Sequence, residues 1–208
     1  MQPIETFKKN RYTVLIYLDP DPTNPRQDDN TAVLVCFHKR YNLGDLDHGY
    51  DYRDYSGWAE FRAQLEKDHK PAAILPLGLI DHSGISMYIG GGAHPCDPGG
   101  WDSGTIGFGF VSRETALREW GSKRLTKRIR KQAETCLRAE VETYNQYLTG
   151  DVYGYEIQDE NGELIDSCWG FYGVECCREE ALACVPVPPD WDEIISGPEL
   201  PTVAEVSQ

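Results

Sequence analysis

No apolar run in this 208-residue chain approaches the roughly 20 residues of a membrane-spanning helix. The opening MQPIETFKKNRYTVLIYL places charged and polar residues where a secretory leader needs an apolar centre, so the expected compartment is the cytoplasm. The seven cysteines, at 36, 96, 136, 168, 176, 177 and 184, include no CxxC pair. That disfavours a zinc site, and the odd number fits free thiols in a reducing compartment. Basic residues are scarce, with 20 Lys and Arg against 34 Asp and Glu for a net charge of −14. No internal repeat is evident.

The charge is unevenly spread. Residues 1–112 carry −5, residues 113–138 carry +6, and residues 139–208 carry −15, with only Arg178 opposing the acids. An acidic third of this kind suits a basic surface on a partner and disfavours nucleic acid there; the alternative is a solvated face that only aids solubility. The basic stretch (Lys123, Arg124, Lys127, Arg128, Arg130, Lys131, Arg138) could touch phosphates or pair within the molecule with the acidic third.

Hydrophobic residues make up 40% of the chain, with five tryptophans and twelve tyrosines, as in a folded protein. The length suits one globular domain, expected over 1–185, followed by an acidic, proline-rich tail over 186–208. YTVLIYL (12–18) and AVLVCF (32–37) read as strands, the second expected to be central and to pair with the first. Residues 38–55 form a long loop, which raises its functional interest. Ser56 is expected to cap a helix over 57–69. Pro76 and Gly78 mark 72–80 as an edge or bulged strand, and 85–89 and 106–111 are short strands. A short helix follows Ser112, and a long one with a 3.6-residue apolar stripe spans 123–148 until Gly150. VYGYEI (152–157) and 164–169 make a hairpin about Asn161-Gly162, and 174–185 is a last short helix. The sum is an α+β fold, a mixed or antiparallel sheet packed by one long helix and two or three shorter ones.

The residues from Asp81 to Phe110 are the most chemically suggestive. Ser83 or Ser103 with His82 or His94 and Asp81 or Asp102 would supply a triad's groups, yet no glycine-flanked nucleophile elbow is present. Gly90–Gly92 lack the lysine and threonine of a phosphate loop. Metal ligation would gather His38, His82 and His94 with Asp45, Asp81 or Asp102, at spacings that match no standard motif. A calcium loop counted from Asp45 fails, because its sixth and twelfth places hold Tyr50 and Ser56. Turns between strands account for most of the segment, and no metal, cofactor or catalytic residue is expected. The loop with Asp45, Asp47, Asp51 and Asp54 also holds Tyr41, Tyr50, Tyr52 and Tyr55, which either face a partner or pack beneath it.

HKRYNLGD (38–45), LPLGLIDHSGISM (75–87), WDSGTIGFGFVS (101–112), YNQYLTGDVYG (144–154) and DSCWGFYG (166–173) together resemble a family of uncharacterised proteins from phages and other mobile elements. The resemblance implies an accessory gene, and small acidic products of such genes are often antagonists of host defence, such as antirestriction proteins and anti-CRISPRs. The expected partner is a host-cell defence protein or ribonucleoprotein with a basic groove, with no membrane and no direct nucleic-acid contact. The expected partner-binding residues are Asp45, Asp47, Asp51, Asp54, Glu156, Asp159, Glu160, Glu163, Glu175, Glu179 and Glu180. The competing reading is a metal-dependent hydrolase of a nucleotide or signalling molecule built on His82, His94 and Asp102.

Overall fold

The computed structural model describes residues 1–187, so the tail expected over 186–208 lies almost wholly outside the described residues. In chain order the elements are β1 (Glu5–Lys9), β2 (Tyr12–Leu18), β3 (Val33–Cys36), α1 (Trp58–His69), β4 (Ala73–Asp81), β5 (Ile85–Ile89), β6 (Ser103–Val111), α2 (Arg113–Glu119), α3 (Lys127–Thr149), β7 (Val152–Gln158), β8 (Leu164–Tyr172) and α4 (Val174–Cys184). The fold is α+β, with two four-stranded antiparallel sheets ordered β1-β2-β7-β8 and β3-β6-β4-β5.

The division into two sheets corrects expectations about strand pairing and position. β2 and β3 do not pair, because β2 takes β7 as its partner while β3 pairs with β6. β3 is also an edge strand, and its apolar run is explained by cover on both faces: Leu34 faces α3, and Val35 faces α1. β4, expected as an edge or bulged strand, is central and bulged. Its Pro76 carbonyl accepts from Gly90 N at 2.9 Å, and β5 pairing begins only at Leu77. N–H and C=O of one strand residue point the same way, so the missing proline donor falls beyond the end of β5 and the β6 ladder is unharmed. The expected bulge sits between Leu77 and Gly78. β1 was not expected at all.

Capping explains the remaining shifts. α3 begins at Lys127 because Thr126 Oγ1 accepts from Ile129 N at 3.3 Å, and it ends at Gly150, which is left-handed with φ 74°. α1 has Gly57 at its cap, and Ser56, one residue earlier, donates from its amide and hydroxyl to Glu60 at 2.7 and 2.6 Å. On α3 the buried stripe is Ile129, Ala133, Leu137, Val141 and Tyr144. It packs on one face of the second sheet, and α1 covers the other through Phe61 and Leu65 against Phe108 and Phe110. α4 covers one face of the first sheet with Cys177 and Ala181 against Tyr12, Val14, Ile16, Tyr155 and Ile157.

One charged network ties these parts together. The side chain of Arg26, only 3% exposed, clasps Asp45 through Nε at 2.9 Å and Nη2 at 2.8 Å, and reaches Glu140 of α3 through Nη1 at 2.9 Å. Nη2 also donates to Ala32 O at 2.7 Å. The carboxylates accept backbone amides in turn, Asp45 from Leu34 and Glu140 from Thr31 and Ala32. Burial opposes the guanidinium charge, and the hydrogen bonds to the two carboxylates outweigh it, so Arg26 is held even more firmly protonated than usual. Removing one member of such a set strands the others. Arg26→Met is expected to lower stability by about 3 kcal/mol, seen as an earlier urea midpoint with an unchanged slope, and a shift under about 0.5 kcal/mol would contradict this account.

Candidate functional site

Three stretches that carry chemistry in the sequence meet in a cleft of about 320 Å³ lined by His38, Arg40, Asp81, Trp101, Asp102 and Thr105. Asp81 ends β4 and receives Arg40; the phenol of Tyr41 donates to it at 3.4 Å, and His38 Nε2 lies 3.8 Å away. His38 stacks on Tyr41 with their rings 5.0 Å apart. His82, in the β4–β5 turn, has Nδ1 2.8 Å from Asp102. Trp101 stands 90% exposed at the rim.

The groups for hydrolysis are not assembled. Ser103 Oγ, at the start of β6, donates to Asp97 at 2.8 Å and accepts from His94 N, so its hydroxyl is spent on holding the loop between β5 and β6. Asp97 also accepts the amides of Trp101 and Asp102, and these bonds, that from Asp102 foremost, hold its carboxyl below the usual range. His94 turns to Tyr88 and its own loop, with Nδ1 accepting from Cys96 N. Among the described residues no three His, Cys, Asp or Glu side chains gather into a metal-ligand set, so His82, His94 and Asp102 do not form the centre that the hydrolase reading requires. The segment 81–110 is a sheet with bound-in turns whose ends frame a polar cleft.

The acids expected to meet a partner fall in separate places. Asp45 is spent on Arg26 and Leu34, a structural role that removes it from a recognition set. Asp51 caps a short helical turn over Tyr52–Asp54 and chelates Arg53, while Asp47 and Asp54 are exposed. The tyrosines of this loop mostly pack inward: Tyr50 and Tyr55 against Phe61, Tyr52 against Trp58 and Phe37. Asp159 ties the β7–β8 turn by accepting from Asn161 N and Glu163 N, leaving Glu160 and Glu163 exposed at its tip. Glu175, Glu179 and Glu180 line the outer side of α4, and Glu175 pairs with Arg178, which also holds Glu5. Glu156 alternates to the opposite face of the sheet from Tyr155 and Ile157, and so away from α4.

That opposite face carries the feature that charge counting missed. Trp169 of β8 lies flat over Gly154, where an added Cβ would sit 2.1 Å from the indole, and stacks on Tyr17 at 6.0 Å. Tyr17 donates to Glu156 at 3.3 Å. By strand pairing Leu164 and Ser167 share this face on β8, and Leu15 shares it on β2. Leu164, Ile165 and Trp169 are 58%, 47% and 39% exposed on a nine-residue edge strand. Apolar residues on an unpaired edge form a template for another chain. The hairpin-tip acids rim it at one end, with Lys8 on the far strand β1, while Lys9 alternates to the other face and donates to Leu182 O of α4 at 2.7 Å. The signal available in sequence was the aromatic Trp169 directly beside Gly170 in the segment that forms β8.

Compared with family models, with curated proteins and with solved structures, the chain matches none.

The Asp51–Arg53 clasp can be checked by titration. The guanidinium and amide of Arg53 lower the Asp51 carboxyl to about 2, so the charged form persists well below the ordinary carboxylate range and the clasp is lost only as pH falls through that value. Carboxyl-carbon NMR should show this, and Arg53→Ala should return Asp51 toward about 3.9. An ordinary titration in the parent protein would mean that the acid is free for a partner.

Proposed function

We propose that this protein acts by binding: it is a mobile-element accessory protein that antagonises a host nucleic-acid-targeting defence by covering a basic surface of that complex. The observation that carries the reading is the face around Trp169, an aromatic and aliphatic centre with Glu156 at its middle and Glu160 and Glu163 at its rim. An interface that draws its energy from a desolvated aromatic anchor and its selectivity from a charged rim has this composition. A lysine- or arginine-rich groove evolved for phosphate takes carboxylates at matching places, because charge alone does not separate the two anions. The edge of β8, unpaired among the described residues, adds backbone donors and acceptors for a strand of the partner. The reading narrows the set expected from charge alone to the β7–β8 hairpin, with α4's Glu179 and Glu180 on the other side of the sheet as a separate surface.

The test is phage plating on isogenic hosts with and without an active CRISPR or restriction system while the protein is expressed. Plating is expected to rise only in the defended host. Trp169→Ala should weaken partner binding about thirtyfold, and Glu160→Lys with Glu163→Lys should weaken it and flatten its salt dependence. No rescue against several systems, or full rescue by the Trp169 variant, would sink the proposal.

A further inference from the structure

Among the described residues the bases of 113–138 do not pair with the acidic third. Among the described residues Lys123, Arg124, Lys127, Arg128, Arg130 and Lys131 make no ion pair; Arg138 bonds Glu134 on its own helix, and Arg130 reaches only the carbonyls of Pro71 and Ala72. Lys127, Arg128, Arg130 and Lys131 also crowd the first turn and a half of α3, which contains no acid in its first turn. The helix dipole makes that end positive, so each cation there costs about 0.3–1 kcal/mol where an acid would stabilise. A run of residues that violates a local rule without an internal partner is where an external one is to be sought.

Beside these cations lies a groove of about 710 Å³ between α2 and α3, with Trp120, Thr135, Ala139 and the stems of Arg128 and Lys131 among its walls. A second hollow of about 490 Å³ continues it past Trp120 and Arg128 toward Lys123 and the start of α3. Gln132 lines both, and among the described residues its buried Oε1 has no hydrogen-bond partner. The carboxylate on the rim of the larger groove, Glu119, is held by Arg118 at 3.1 Å.

We propose that this groove binds single-stranded nucleic acid, a base entering beside Trp120 with its edge toward Gln132 while the flanking phosphates meet Arg128, Lys131 and Lys127. A positive track with an aromatic wall and an amide acceptor matches an unpaired base on a charged backbone. A duplex would present phosphates but no free base for an apolar hollow. Such binding departs from the expectation of no nucleic-acid contact and does not depend on whether the Trp169 face meets a protein.

The probe is a fluorescein-labelled twelve-nucleotide oligothymidylate, followed by anisotropy at low salt, about 50 mM, and then across a salt series. Binding is expected, and Lys127→Glu, Arg128→Glu and Lys131→Glu together should weaken it at least about tenfold and lower the salt slope by about 2. These acids suit the helix N-terminus, so the variant should melt no lower than the parent. Arg128→Gln with Lys131→Gln is the milder companion, expected to lose binding in the same direction, while Glu179→Lys with Glu180→Lys should not weaken it. Absence of binding, unchanged affinity in both groove variants, equal affinity for duplex, or displacement by polyglutamate as readily as by oligonucleotide would each overturn the proposal.

Discussion

The second half of this structure hangs on one buried guanidinium. Arg26 comes from a proline-rich connection with little regular structure, yet it joins that connection to the start of β3, to the Asp45 loop and to the middle of α3. A buried charge is tolerated only when its donors are matched, and here Asp45 and Glu140 take three of its bonds and the Ala32 carbonyl a fourth. The bond between Gly44 N and the buried Tyr144 hydroxyl pins the same loop to α3 from the other side. With the loop fixed at both places, His38, Arg40 and Tyr41 are held against Asp81, and the polar cleft follows from the core below it.

The surface divides by charge in a way that a net value of −14 conceals. The hairpin tip and the outer side of α4 are acidic, the start of α3 is basic, and the two do not neutralise one another. Separated fields of opposite sign are what the proposed binding to a complex of protein and nucleic acid would draw on. The sheet face with Trp169 supplies what the fields lack, an apolar anchor that gains from leaving water.

Much of the fold was legible because the local signals agreed. Tyr12–Leu18, Ile85–Ile89 and Ala73–Asp81 are apolar runs bounded by turn residues, and the long stripe of α3 is broken off by a glycine. What escaped was mostly partner choice. β1, ETFKK, has too little apolar character to read as a strand and exists because β2 offers it a ladder. Pro76 argued for an edge because a proline's position relative to the neighbouring strand's end is invisible in one dimension.

The candidate site shows the same divide. The sequence alone determined the acids and bases, their uneven distribution along the chain and the helical or extended habit of the segments that carry them, since these depend on composition and on periods of a few residues. Only the tertiary structure decided that Asp45 is structural, that Glu156 and Glu179 lie on opposite sides of a sheet, that His94 stays apart from His82 and Asp102, and that Trp169 rests on Gly154 beside Tyr17. Each of these is a relation between residues far apart in the chain, set by which strands pair and which face a helix covers, and no local pattern encodes it.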